Sequence, residues 1–126
     1  MRAYTYRRKD GGLGARATAD NPKTRADEFK VSRAAAEALE ADGRGLFDGP
    51  IAVRIDVRLA RPKSVPAKRR PLPTVKPDAD KIARLVLDAL TKIVFVDDAA
   101  VCCLQVRKRY AAVPYVLVRV AEELPD

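Results

Sequence analysis

The chain has 126 residues, a length suited to one domain with a real core; 48% of them are hydrophobic and 33% charged, as in an ordinary globular domain. A formal net charge of +8 favours a polyanionic partner, and the absence of His excludes His-based nucleophilic triads, His general bases and zinc-hydrolase motifs. Any hydrolysis must then run on carboxylates, Lys or metal-bound water. Cys102 and Cys103 are neighbours, so on a strand they point to opposite faces. That rules out a disulfide between them and a C-x-x-C zinc site, and predicts two reduced thiols. No apolar run approaches the roughly 18 residues of a membrane span, and the polar N-terminus has no signal-peptide core. The expectation is a cytoplasmic protein without a membrane segment.

Residues 1–23 are polar, with Tyr4, Tyr6, Arg7, Arg8 and Lys9 ahead of Gly11, Gly12 and Gly14. Two readings stand: a mobile arm, or the remains of a first strand and a loop that touches phosphate. A helix is predicted over 24–41. Thr24 is its N-cap with Asp27 three residues on, and Asp42-Gly43 closes its end. Its broad, shallow, Ala-rich face comprises Phe29, Val31, Ala35, Ala36, Ala38 and Leu39. Residues 51–59 alternate cleanly: Ile51, Val53, Ile55, Val57 and Leu59 form the buried face of a strand, and Arg54, Asp56 and Arg58 the other.

Residues 61–76, RPKSVPAKRRPLPTVK, carry six basic residues, four prolines and no acid. Such a segment is neither an interior strand nor a helix. It reads either as a solvated linker or as a basic strap that brings Lys68, Arg69 and Arg70 to phosphates. We favour the strap, because an acidic cluster follows directly.

That cluster lies in residues 76–98, KPDADKIARLVLDALTKIVFVDD. A helix is predicted to start just after Pro77, with Ile82, Leu85, Val86, Ala89, Leu90 and Ile93 on one buried face. With Asp78-Ala79-Asp80 still extended, two carboxylates point to the same side. Val94-Phe95-Val96 reads as a strand ending in Asp97-Asp98, of which one faces the first pair. Short Asp side chains from a helix start and a strand end offer hard oxygen ligands, the kind Mg²⁺ or Mn²⁺ prefers. The competing reading is structural: Asp as a helix cap and Asp-Asp as a turn. Lys76 and Lys81 flank the Asp pair and join the strap as candidate phosphate contacts. Residues 101–110 and 115–121 are predicted strands around Pro114, with basic outer faces, and 122–126 a frayed acidic tail. The sum is a single α/β domain of the α+β type, a mixed or mainly antiparallel sheet of about four strands covered by two helices.

The run KPDADKIARLVLDAL, followed by a short apolar segment and Asp-Asp, resembles the RusA family of Holliday-junction endodeoxyribonucleases. That family's pattern is K-P-D-x-D-N-L-x-K, three further residues, D-A-L, then a short strand and D-D. About a fifth of this chain matches closely. Lys81 stands in place of the family's Asn, Arg84 in place of its Lys, and the connection to Asp97-Asp98 is a residue shorter than in some members. The resemblance implies a Mg²⁺-dependent endonuclease resolving four-way DNA junctions in recombination and repair, with Mn²⁺ as an alternative metal. Its metal-binding and catalytic aspartates would be Asp78, Asp80 and Asp98, and Arg84 would occupy the catalytic Lys position. It also implies a homodimer, since a two-fold symmetric junction needs two symmetric cuts. The alternative is a catalytically impaired, DNA-binding member of the family.

Overall fold

The computed structural model describes residues 5–7, 12–18 and 22–125. Its elements are β1 (Thr5–Arg7), β2 (Leu13–Ala17), α1 (Arg25–Ala41), β3 (Ile51–Leu59), α2 (Ala79–Leu90), β4 (Val101–Tyr110) and β5 (Tyr115–Glu122). The strands form one mixed sheet in the order β1-β2-β5-β3-β4, in which β3 and β4 are parallel and the other pairs antiparallel. The single α+β domain expected from the sequence is the one found, with five strands where about four were anticipated. The strands not anticipated are residues 5–7 and 13–17; most of the segment between them lies outside the described residues. Leu13, Ala15 and Ala17 are buried in the sheet. Gly and Ala carry little strand propensity, which hid β2. Tyr4, Arg8, Lys9 and Gly11 lie outside the described residues.

Both helices cover one face of the sheet. On β3, Ile51, Val53, Ile55, Val57 and Leu59 point into the core, and Val116, Val118 and Val120 of β5 extend the same surface. From α1 come Val31, Ala34, Ala35 and Ala38, and from α2 Ile82, Val86, Ala89 and Leu90. Each fully buried Val, Leu or Ile contributes about 1.5–3 kcal/mol, so this layer is the main source of stability. Phe29 and Ala36, expected on the buried face of α1, are exposed instead, Phe29 at 65%. At 100° per residue they fall about 160° and 140° round the helix from Val31.

Helix α1 is closed at both ends. Thr24 Oγ1 accepts from the Asp27 amide at 3.2 Å, and Asp27 Oδ2 accepts in return from the Thr24 amide at 3.1 Å. At the other end the Gly43 amide donates to Glu40 O and the Arg44 amide to Leu39 O, with Gly43 at φ 66°. This is a Schellman closure, and the left-handed residue is glycine.

The segment 94–96 departs from the expected strand. Phe95 makes only isolated bridges, to Phe47 and Thr91, and Val94 and Phe95 are buried as a plug beneath the end of α2. Lys92 sits at φ 67°, its amide donates to Phe95 O at 2.6 Å, and the Val94 amide returns to Leu90 O at 2.8 Å. Val94 and Phe95 are apolar because they fill the core, whereas Val96 is exposed, and the tight turn after α2 takes the place of a ladder. The acidic tail is also less frayed than expected: β5 extends to Glu122, and the Glu123 amide donates to Pro50 O at 3.0 Å.

Candidate functional site

Helix α2 begins one residue after Asp78, whose ψ of 146° is still extended, while Ala79 is already helical. The expected extended Asp78-Ala79-Asp80 trio therefore does not form, and Asp80 sits in the first turn of the helix. Asp78 occupies the N-cap position without a side-chain capping bond, so its carboxylate is not consumed by the helix start. Its Oδ2 lies 3.9 Å from Lys81 Nζ, in a pair whose side chains are 49% and 70% exposed. Such a pair is weak, and both partners remain open to a ligand.

Asp97 has a structural role. It is extended, caps a short 3₁₀ turn over Asp98–Ala100, and accepts from the Ala99 amide at 3.0 Å. Asp97 is thus committed to a capped turn rather than to the end of a strand. Asp98 is exposed at the start of that turn.

A groove of about 660 Å³ runs between the starts of the two helices. Lys76, Pro77, Asp78, Lys81, Arg84, Leu85 and Asp88 line one wall, and Lys23, Thr24, Arg25 and Glu28 the other. Of the expected site residues, the groove gathers Lys76, Asp78, Lys81 and Arg84. It does not include Asp80, Asp98, Lys68, Arg69 or Arg70. Arg84 makes no ion pair with Asp80 among the described residues, although the two are spaced i,i+4; it lines the groove instead. Lys23, Arg25 and Glu28 were not anticipated. Their signal, a basic pair around a helix cap, is visible in the sequence, but the packing of α1 beside α2 is not.

The wall formed by α1 is held by Asp27, only 9% exposed. Burial alone would push its carboxyl up, but hydrogen bonds from the Thr24 hydroxyl and from the Lys23 and Thr24 amides, with nearby Lys30, hold it below its ordinary value of 3.8. The strap of residues 61–76 is likewise anchored. The Arg61 guanidinium donates to Arg70 O and stacks 4.1 Å over the Tyr110 ring, Arg70 Nη1 reaches Tyr110 Oη at 3.4 Å, and Lys108 Nζ donates to Val75 O. Lys68 and Arg69 are exposed, whereas Arg70 is half-buried against Tyr110.

The model of the RusA endodeoxyribonuclease family matches residues 2–121. The chain belongs to that family. A curated relative, the uncharacterized protein YqaN of Bacillus subtilis, is 33% identical over 86 residues. That match spans 61% of this chain and 61% of the relative. The family is one of endodeoxyribonucleases, a class that generally depends on divalent metal. The donor chemistry here fits such an ion: Asp78, Asp80 and Asp98 offer hard oxygens, and Asp78 is not spent on capping. Among the described residues, however, no three acidic or Cys side chains converge closely enough to hold one. Nor, among those residues, is any helix long and apolar enough to cross a membrane.

Proposed function

We propose that this RusA-family protein is a structure-selective endodeoxyribonuclease that cuts four-way DNA junctions with Mg²⁺, or Mn²⁺ as a metal of the same class. The observation that carries the reading is the family match over residues 2–121 together with the groove, where Asp78 meets Lys76, Lys81 and Arg84. Asp78, Asp80 and Asp98 would be the ligands of the ion once drawn closer together than they stand in this structure. When bound, a divalent ion supplies Lewis acidity toward the scissile phosphate and a nucleophile at neutral pH, a need set by the absence of His.

The remaining work falls to the protein's own side chains. The Arg84 guanidinium is a planar donor fork suited to phosphate oxygen, so its role is to bind phosphate rather than to transfer a proton. Lys76 and Lys81, with Lys23 and Arg25 across the groove, attract and orient the backbone, and Lys68 and Arg69 extend that reach along the strap. Two symmetric cuts call for two sites, hence a two-fold homodimer.

A second reading, a DNA-binding protein with impaired catalysis, draws on the absence of a three-carboxylate cluster among the described residues and on the pairing of Lys81 with Asp78. Incubation with a synthetic four-way junction and Mg²⁺, beside a linear duplex, separates the two. Cleavage of the junction alone supports the nuclease. Junction binding without cleavage at any Mg²⁺ concentration supports the second reading.

A further inference from the structure

The sheet face opposite the helices carries an arginine array that the site described above does not use. In register, Arg54 of β3 stands directly beside Arg119 of β5 and Gln105 of β4, and Arg58 stands beside Arg109. Like charges placed directly opposite on a sheet oppose folding, so each of these pairs costs stability in the isolated chain. One carboxylate offsets them: Asp56 lies 3.3 Å from Arg119 and 3.9 Å from Arg58. It leaves Arg54 and Arg107 exposed, with no ion pair or hydrogen bond among the described residues. Arg54, Gln105, Arg107 and Arg119 line a shallow groove of about 520 Å³ on this face. Asp56 also lines this groove but is paired with Arg58 and Arg119, so two unpaired guanidiniums and an amide donor there offer charge and planar donor forks suited to phosphate.

We propose that this face is a second DNA contact, taking the phosphate backbone of another duplex arm of the same junction. The proposal rests on the junction-binding reading and deepens it. The sheet separates the array from the groove holding Asp78, so one straight duplex cannot lie on both. The diverging arms of a junction can reach the two faces together. A second copy of this chain is a poor occupant, because it would set arginines against arginines.

The test is equilibrium binding of a four-way junction over a range of salt concentrations, with linear duplex alongside, using the full chain. The double variant Arg54→Gln/Arg107→Gln should bind the junction more weakly and lose about 2 from the slope of log K against log salt, roughly 0.9 per phosphate contact. Arg54→Lys/Arg107→Lys, which keeps both charges, should retain the slope. On linear duplex the glutamine pair should shift the slope by less. A thermal midpoint at or above wild type accompanies these results, since Arg54→Gln removes one half of a like-charge pair. An unchanged junction slope with the glutamine pair overturns the proposal, as does an equal loss in the glutamine and lysine variants. An equal loss on junction and duplex overturns the two-arm geometry. If the wild type binds no junction at all, the proposed function fails with it; if the wild type binds and only the slope is unmoved, this inference alone fails.

Discussion

Replacing Asp27 with Ala should cost about 2.5–4 kcal/mol, far more than an exposed acid would. Its Oδ2 accepts three hydrogen bonds, from the Thr24 hydroxyl at 2.8 Å, the Thr24 amide at 3.1 Å and the Lys23 amide at 3.2 Å. Loss of a helix cap alone costs about 1 kcal/mol, and hydrogen bonds to a charged group add about 1.5–3 kcal/mol. For a domain of this size the loss corresponds to a thermal midpoint lower by about 10 °C. The effect is also pH-dependent with a definite sign. The carboxyl is held below 3.8 in the folded chain, so its contribution is complete above the unfolded value and is lost as pH falls through the folded one. Denaturant melts of wild type and Asp27→Asn, run from neutral pH into acid, should therefore show a stability gap that is constant above about pH 5 and narrows below it. A gap that stays constant into acid, or a midpoint for Asp27→Ala within about 2 °C of wild type, would refute the reasoning.

The other predictions follow from single contacts. Because Lys81 and Asp78 form an exposed pair at 3.9 Å, worth under about 1 kcal/mol, Lys81→Asn should lower the Mg²⁺ concentration for half-maximal cleavage by at most about fivefold. Identical midpoints would make Lys81 a bystander. At the same site Arg84→Lys should preserve cleavage and Arg84→Ala abolish it, as measured by single-turnover rates. Neutralising Lys68, Arg69 and Arg70 together should reduce the junction-binding salt slope by about 2 rather than 3, since Arg70 is committed to Tyr110. Lys92→Gly should raise stability by up to about 1 kcal/mol in denaturant melts, because Lys92 holds a left-handed φ of 67°.

Much of the fold could be read from the sequence where period and capping agree. The alternation in 51–59 gave β3 with its buried face correct at all five positions, and Thr24, Asp27 and Gly43 marked the ends of α1. The failures have local causes. Short apolar runs do not distinguish a strand from a core plug, as Val94-Phe95 demonstrates, and Ala and Gly in β2 gave no strand signal. The basic strap was legible by composition, but its anchoring on Tyr110 depends on tertiary contacts. The same holds for the site. Asp78, Lys81 and Arg84 sit together because they are close in sequence, whereas the wall of Lys23 and Arg25 exists only through the packing of α1 beside α2.

The most direct test of the nuclease reading is to measure junction cleavage and junction binding in parallel for Asp80→Asn, beside Asp78→Asn, Asp98→Asn and Asp97→Asn. Removing one negative charge favours a polyanion, so Asp78→Asn, Asp80→Asn and Asp98→Asn should each bind the junction at least as tightly as wild type while losing cleavage. Asp97→Asn should keep most of its activity, because an amide oxygen can still accept from the Ala99 amide. Undiminished cleavage by Asp80→Asn, or an indispensable Asp97 beside a dispensable Asp98, would contradict the account.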